Sequence, residues 1–211
     1  MKKEFFIQIT KIICFIPAVV IYITKPLIIS FGILYRYIYS GYIALSLNGS
    51  KNIKIYPHIK VCGGKNIHIS EKTVIDKGTT LYAVNRLGKR PKLQIGFGVN
   101  IGESNHISCC NQIIIGNGVL TGKNVTITDN SHGYSYGEDL LQPPYTRPIR
   151  SKGVVNIGDN VWIGDKVVIL PGVSIGENSI VGANSVVTHS CPPHTLICGN
   201  PAVIIKTLTN E

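Results

Sequence analysis

From Val155 to Ser190 the chain repeats its apolar and polar positions with a period of six and no slip. The segments are Val-Asn-Ile-Gly-Asp-Asn, Val-Trp-Ile-Gly-Asp-Lys, Val-Val-Ile-Leu-Pro-Gly, Val-Ser-Ile-Gly-Glu-Asn, Ser-Ile-Val-Gly-Ala-Asn and Ser-Val-Val-Thr-His-Ser. Their third position is always aliphatic: Ile157, Ile163, Ile169, Ile175, Val181 and Val187. Their first is Val or Ser, and their fourth is Gly at 158, 164, 176 and 182. Six fits neither a helix face nor simple strand alternation. It predicts a parallel β-helix, in which a repeat buries its apolar face only by stacking on its neighbours.

The phase returns upstream in Val99/Ile101, Val119/Thr121, Val125/Ile127, Ile67/Ile69, Thr73/Ile75 and Thr79/Leu81. It slips by two residues before Ile67 and before Ile113, and breaks outright at Tyr82–Lys92 and Thr128–Gly153. Both breaks read as loops ejected from coil corners. The expected fold is therefore all-β, with a hexapeptide-repeat β-helix domain over 48–211. Its repeats run from about Asn52 to Val187, an ejected loop occupies 128–153, and a C-terminal cap containing Pro192, Pro193 and Pro201 occupies 191–211. Three hexapeptides make one coil. Glycine at the fourth position suits a tight turn between faces.

Residues 1–47 lack the six-residue phase. Their apolar runs, Phe5–Ile7, Ile12–Ile16, Val19–Ile23 and Ile28–Ile29, are punctuated by Lys2, Lys3, Lys11, Lys25 and Arg36, with Glu4 the one acid. The run from Ile12 to Thr24 is short for a span of about 20 residues, and Pro17 and Pro26 are expected to bend or break helices. This segment reads as helices on a membrane surface, its basic residues facing anionic lipid. The competing reading is helices packed on the solenoid. A net charge of +10 fits the lipid reading. The basic residues are dispersed and no nucleic-acid module occurs, so nucleic acid is not an expected partner. The six cysteines, among them the adjacent Cys109 and Cys110, follow neither a zinc nor a disulfide pattern. No metal is expected.

The loop opening at Thr128 holds the candidate chemistry. His132 stands at its root, and Asp129, three residues earlier, is placed to orient one ring nitrogen and leave the other as a base. Tyr134 and Arg147, with Tyr136 and Glu138, are candidates to touch a substrate. His58, His68, His106, His189 and His194 show no ligand spacing and read as structural or exposed.

The hexapeptide run, the Asp129-x-x-His132-Gly133-Tyr134 loop, Asp159–Gly164 and Gly199-Asn200-Pro201-Ala202 occur together and in order. Together, over about residues 95–206, they resemble the left-handed β-helix acyltransferases, especially the sugar and polysaccharide O-acetyltransferases. The resemblance implies left-handed coiling and a homotrimer with sites between neighbouring prisms. It implies acetyl-CoA as acyl donor and direct transfer to a hydroxyl of a sugar or glycan acceptor. It makes His132 the base and sets Trp162, Gly164, Gly182, Ala183, Thr188 and Lys206 along the donor. Asn105 is the nearest amide to the family's acceptor-binding asparagine. This chain departs from the family at Val203, where a second basic residue is common, and at Asp165, where a small residue is common. The basic apolar N-terminus adds the expectation of a bacterial enzyme in the cytoplasm, peripheral to the inner membrane and acting on a surface polysaccharide or its precursor. N-acetylation of an amino sugar, acetylation of a soluble sugar or xenobiotic, a zinc hydratase and a purely structural β-helix are the alternatives.

Overall fold

The computed structural model describes the backbone of residues 2–49, 52–134 and 136–209. The side chains of residues 2–21 and of Ile23 lie outside that description, and with them Cys14 and most of the early apolar runs.

The repeats form three parallel sheets wound around one core. The first face carries the strands Asn48–Gly49, Ile67–Ile69, Lys92–Ile95, Gln112–Ile115, Val155–Ile157 and Ser174–Ile175. The second runs from Lys54–Ile55 through Val74–Ile75, Asn100–Ile101, Leu120–Thr121 and Trp162–Ile163 to Ile180–Val181. The third stacks Lys60–Cys62, Thr80–Ala83, His106–Cys109, Thr126–Thr128, Val168–Ile169 and Val186–Val187. Like pairs with like from coil to coil: Ile163 with Thr121 and Val181, Ile127 with Ile107 and Ile169. The third-position aliphatics and the first-position Val99, Val119, Val161 and Val167 are all buried. Each such Val or Ile contributes roughly 1.5–3 kcal/mol on burial.

Polar first positions are buried too, each satisfied at a corner. Thr73 Oγ1 donates to Gly96 O at 2.8 Å and Ser185 Oγ to Gly182 O at 2.6 Å. The fourth-position glycines have a different cause from the one expected. A Cβ on Gly164 would stand 2.6 Å from the Ala183 amide nitrogen of the next coil, so close stacking excludes a side chain there. The left-handed turn residue is instead at the sixth position, where Asn160, Asn178 and Asn184 have φ of 55–60°.

Every departure from the repeat upstream of Val155 falls at one corner, between the third and first faces. The 3-10 turn Gly64–Asn66 lies there, followed along the stack by the Tyr82–Lys92 break, the Cys110–Asn111 corner and the Thr128–Gly153 loop. At the far end Thr195–Gly199 joins the second face and pairs antiparallel with Ala202–Thr207.

The N-terminal segment is one helix, Lys2–Ala44, of 43 residues. It continues through Pro17 and Pro26, correcting the expected breaks. Each proline removes one N–H donor, and the backbone bonds of the residues on either side keep the helix continuous. Among the described residues, Thr24–Ala44 is long and apolar enough to cross a membrane by length and composition. The chain forms two compact units that meet between Ile38 and Tyr39 in sequence. The last helical turn belongs to the solenoid: Ser40 Oγ donates to Ile53 O and accepts from Ile55 N, while Tyr39 and Ile43 pack on the core.

Candidate active site

The loop after Thr128 leaves the corner and returns on itself. Ser131–His132 pairs antiparallel with Ile149–Arg150, His132 opposite Ile149, and Gly133 N donates to Pro148 O at 2.9 Å. Gly133 has φ of 73°, and a Cβ there would crowd Arg147 Cδ at 2.9 Å, so glycine is favoured next to the histidine. Beyond it, Asp139 Oδ2 accepts from Tyr134 N at 2.8 Å and lies 3.6 Å from Arg150 Nε. The Arg150 guanidinium stacks over the Tyr134 ring, which stacks on Tyr136. The loop root is thus a braced hairpin that holds His132 exposed above the third face.

Beside it is a cavity of about 580 Å³ lined by Tyr82, Arg86, His106, Ser108, Cys110, Asn130, His132, Tyr145, Arg147 and Ile149. Strand register builds its floor. Tyr82, Ser108 and Thr128 occupy one outward column, and Thr80, His106 and Thr126 the next. Its walls come from the two ejected segments.

Several expected roles change. Asp129 is fully buried, and its carboxylate accepts from Cys110 N and Asn111 N, each at 2.8 Å, and from Asn130 Nδ2 at 3.0 Å. These bonds clamp the corner, and none of them reaches His132. Asn105 is 2% exposed; its Nδ2 donates to Thr121 Oγ1 and Gly122 O, and its Oδ1 accepts from Val125 N. With its amide engaged inside the coil, Asn105 is a core residue and not an acceptor contact. Tyr134 braces the loop root and is not among the cavity residues. Arg147 does line the cavity, while its Nε donates to Gln142 O at 2.9 Å.

The expected donor residues lie elsewhere on the prism. Trp162, 52% exposed, is on the second face, with Gly164, Gly182 and Ala183 at the corner that follows it. Thr188 follows the last third-face strand and bonds His189 Nδ1, and Lys206 is on the exposed terminal strand. None of these six lines the cavity beside His132.

Sequence reasoning missed Tyr82, Arg86, Ser108, Asn130 and Tyr145, and set His106 aside. The Tyr82–Lys92 break was a usable signal, because a second ejection from the same corner must meet the first. Cys110 lies in the cavity wall. Burial, and then the charge of Asp129, push its thiol up to about 11. Among the described residues no group of three or more His, Cys, Asp or Glu is arranged to hold a metal ion.

Residues 155–189 match the bacterial transferase hexapeptide family (six repeats). The chain is 41% identical over 117 residues to an Escherichia coli K12 protein named as a lipopolysaccharide biosynthesis O-acetyl transferase, covering 54% of this chain and 59% of that protein. The match thus spans about three fifths of the relative's length. Among solved structures, a hexapeptide-repeat acetyltransferase from Vibrio cholerae in complex with acetyl-CoA is 28% identical, with a TM-score of 0.53, over 78% of this chain and 72% of that one. An N-acyltransferase from Bacillus cereus, bound to dTDP and coenzyme A, has a TM-score of 0.65 at 22% identity, over 76% and 84%, a likeness of fold alone. These likenesses support left-handed coiling of the β-helix.

Proposed function

We propose, from the premise that this repeat belongs to the hexapeptide-repeat acyltransferases, that the protein transfers acetyl from acetyl-CoA to a sugar hydroxyl. The observation that carries this is His132, held exposed by a braced hairpin at the edge of a cavity floored by the β-helix. A sugar hydroxyl is barely ionised near neutral pH, so its proton must leave as it attacks the thioester. His132 takes that proton. The new C–O bond forms through a tetrahedral oxyanion that backbone N–H groups at a coil turn would stabilise. The C–S bond then breaks, and the imidazolium returns its proton to the CoA thiolate. Transfer is direct: a covalent relay through Cys110 would require its thiolate, which burial disfavours.

Trp162 and the small corner residues occupy the second face while His132 stands over the third. This separation supports a trimer in which the donor groove of one prism meets the His132 loop of its neighbour. The relative's name supports a surface-glycan acceptor, and the apolar helix Thr24–Ala44 supports placement at a membrane. The reading remains an enzyme of the bacterial cytoplasm at the inner membrane.

The test is thiol release from acetyl-CoA with a panel of glycan acceptors, by the full chain and by His132→Ala. Acceptor-dependent release that falls by ~10²–10⁴-fold in the variant is expected for a general base. Release unchanged by the substitution removes His132 from the mechanism. Mild base then separates ester from amide products, which decides O- against N-acetylation.

A further inference from the structure

We infer that the cavity beside His132 accepts an anionic sugar, one carrying a carboxylate or a phosphate, and that Arg86 recognises that charge. The inference rests on the transferase reading for the word acceptor, and on the cavity lining for the word anionic.

The lining is rich in donors and poor in strong acceptors. It holds two guanidinium groups, Arg86 and Arg147, and two imidazoles, His106 and His132, and among the described residues no carboxylate. Cavities that read neutral hydroxyls need acceptors as well as donors, and a carboxylate is the strongest acceptor a side chain supplies. Two acids near this corner are already engaged, and Glu138, exposed on the loop, is not among the cavity residues. Asp129 is buried under the Cys110 and Asn111 amides, and Asp139 is paired with Arg150.

Arg86 is held in place without being neutralised. Its Nε and Nη2 both donate to Tyr82 Oη, at 3.2 and 2.9 Å. A phenol fixes the guanidinium and leaves its charge whole, with N–H groups to spare for a carboxylate or phosphate fork. Tyr82 is in turn fixed by strand register, opposite Ser108 on the floor. Arg147 differs: its Nε braces a loop carbonyl, so it adds field more than a free fork. Tyr82 and Tyr145 add aromatic surface to the lining, which suits the apolar side of a sugar. The arrangement sets a fixed cation and His132 in one cavity, so an acceptor charge on Arg86 would orient one hydroxyl toward the base.

The experiment compares matched acceptors in the acetyl-CoA assay. One pair is a glucuronic-acid oligosaccharide and its carboxyl-reduced form; the other is a sugar phosphate and the free sugar. The pairs distinguish carboxylate from phosphate. A charged hydrogen bond gives a kcat/KM preference of about 10- to 100-fold for the anionic member. Arg86→Gln should collapse that ratio toward one through the acceptor KM, and Arg86→Lys should keep part of it. A ratio near one in the native protein overturns the inference, as does a ratio untouched by Arg86→Gln. A rise in the acetyl-CoA KM alone would also overturn it, assigning Arg86 to the donor's phosphates. If no acceptor releases thiol, NMR-detected binding of the same oligosaccharides decides. Binding of the acidic form that Arg86→Gln abolishes sustains the anion site while the transferase reading falls; no binding removes both.

Discussion

Asp129→Asn decides between two ways of using a buried carboxylate. In the structure both oxygens face backbone donors, Cys110 N and Asn111 N at 2.8 Å, and Asn130 Nδ2 adds a third bond. An amide keeps the shape but replaces one acceptor with a donor. Whichever way it flips, one buried N–H loses its partner. An unsatisfied buried donor costs about 1–3 kcal/mol. Because that loss is local, amide hydrogen exchange reports it more directly than global unfolding. Over residues 108–113, exchange should quicken by roughly 5- to 150-fold, at about 1.4 kcal/mol per factor of ten. Exchange mass spectrometry of that peptide in both proteins is the assay. The alternative is that Asp129 acts mainly on the imidazole of His132. In that case exchange would hardly change, while kcat would fall by ~10²-fold or more and its pH profile would shift. That pair of results would refute the corner clamp.

Two further outcomes follow from other parts of the structure. Burial, then Asp129, raises the Cys110 thiol from an ordinary 9.0 to about 11, and Cys109 is raised in the same direction. Between these values the unfolded chain loses a proton that the folded one keeps, so stability should be unaffected from this source below about pH 8 and fall as pH rises toward 11. Denaturant titrations at several pH values should show the slope reduced in Cys110→Ser; an identical slope in the variant would disprove the assignment. On the helix, Phe31 and Leu34 are exposed, and replacing both with Glu should move the protein from the membrane to the soluble fraction. Insertion costs for an acidic residue of about 2.5–3.5 kcal/mol support a shift of that kind, and equal partition of the two proteins in flotation would exclude the membrane role.

The period of six made the β-helix legible because each coil repeats the same burial problem. The loop carrying His132 was legible because it breaks that period. The bonds of Asp129 were not legible for a physical reason: sequence proximity put it near His132, but its carboxylate turns inward at the corner, and its two backbone partners come from the preceding coil. Asn105 failed likewise, since its amide bonds belong to neighbouring coils and no linear pattern shows them. Arg86 belongs to no motif. Its place beside His132 depends on two breaks in the chain stacking at one corner, a fact of three-dimensional register. At Pro17 and Pro26 a local helix penalty does not by itself end the helix, which runs on through both.

The two ejected segments leave that corner two coils apart, after Ala83 and after Thr128, with the Cys110–Asn111 turn between them. Coils stack at about 4.8 Å, so the distance between the two walls comes in discrete steps. Gaining or losing one whole coil between the exits would widen or narrow the cleft by a single rung and leave every remaining turn intact. Such a scaffold can resize what it grips without redesigning the residues that grip it.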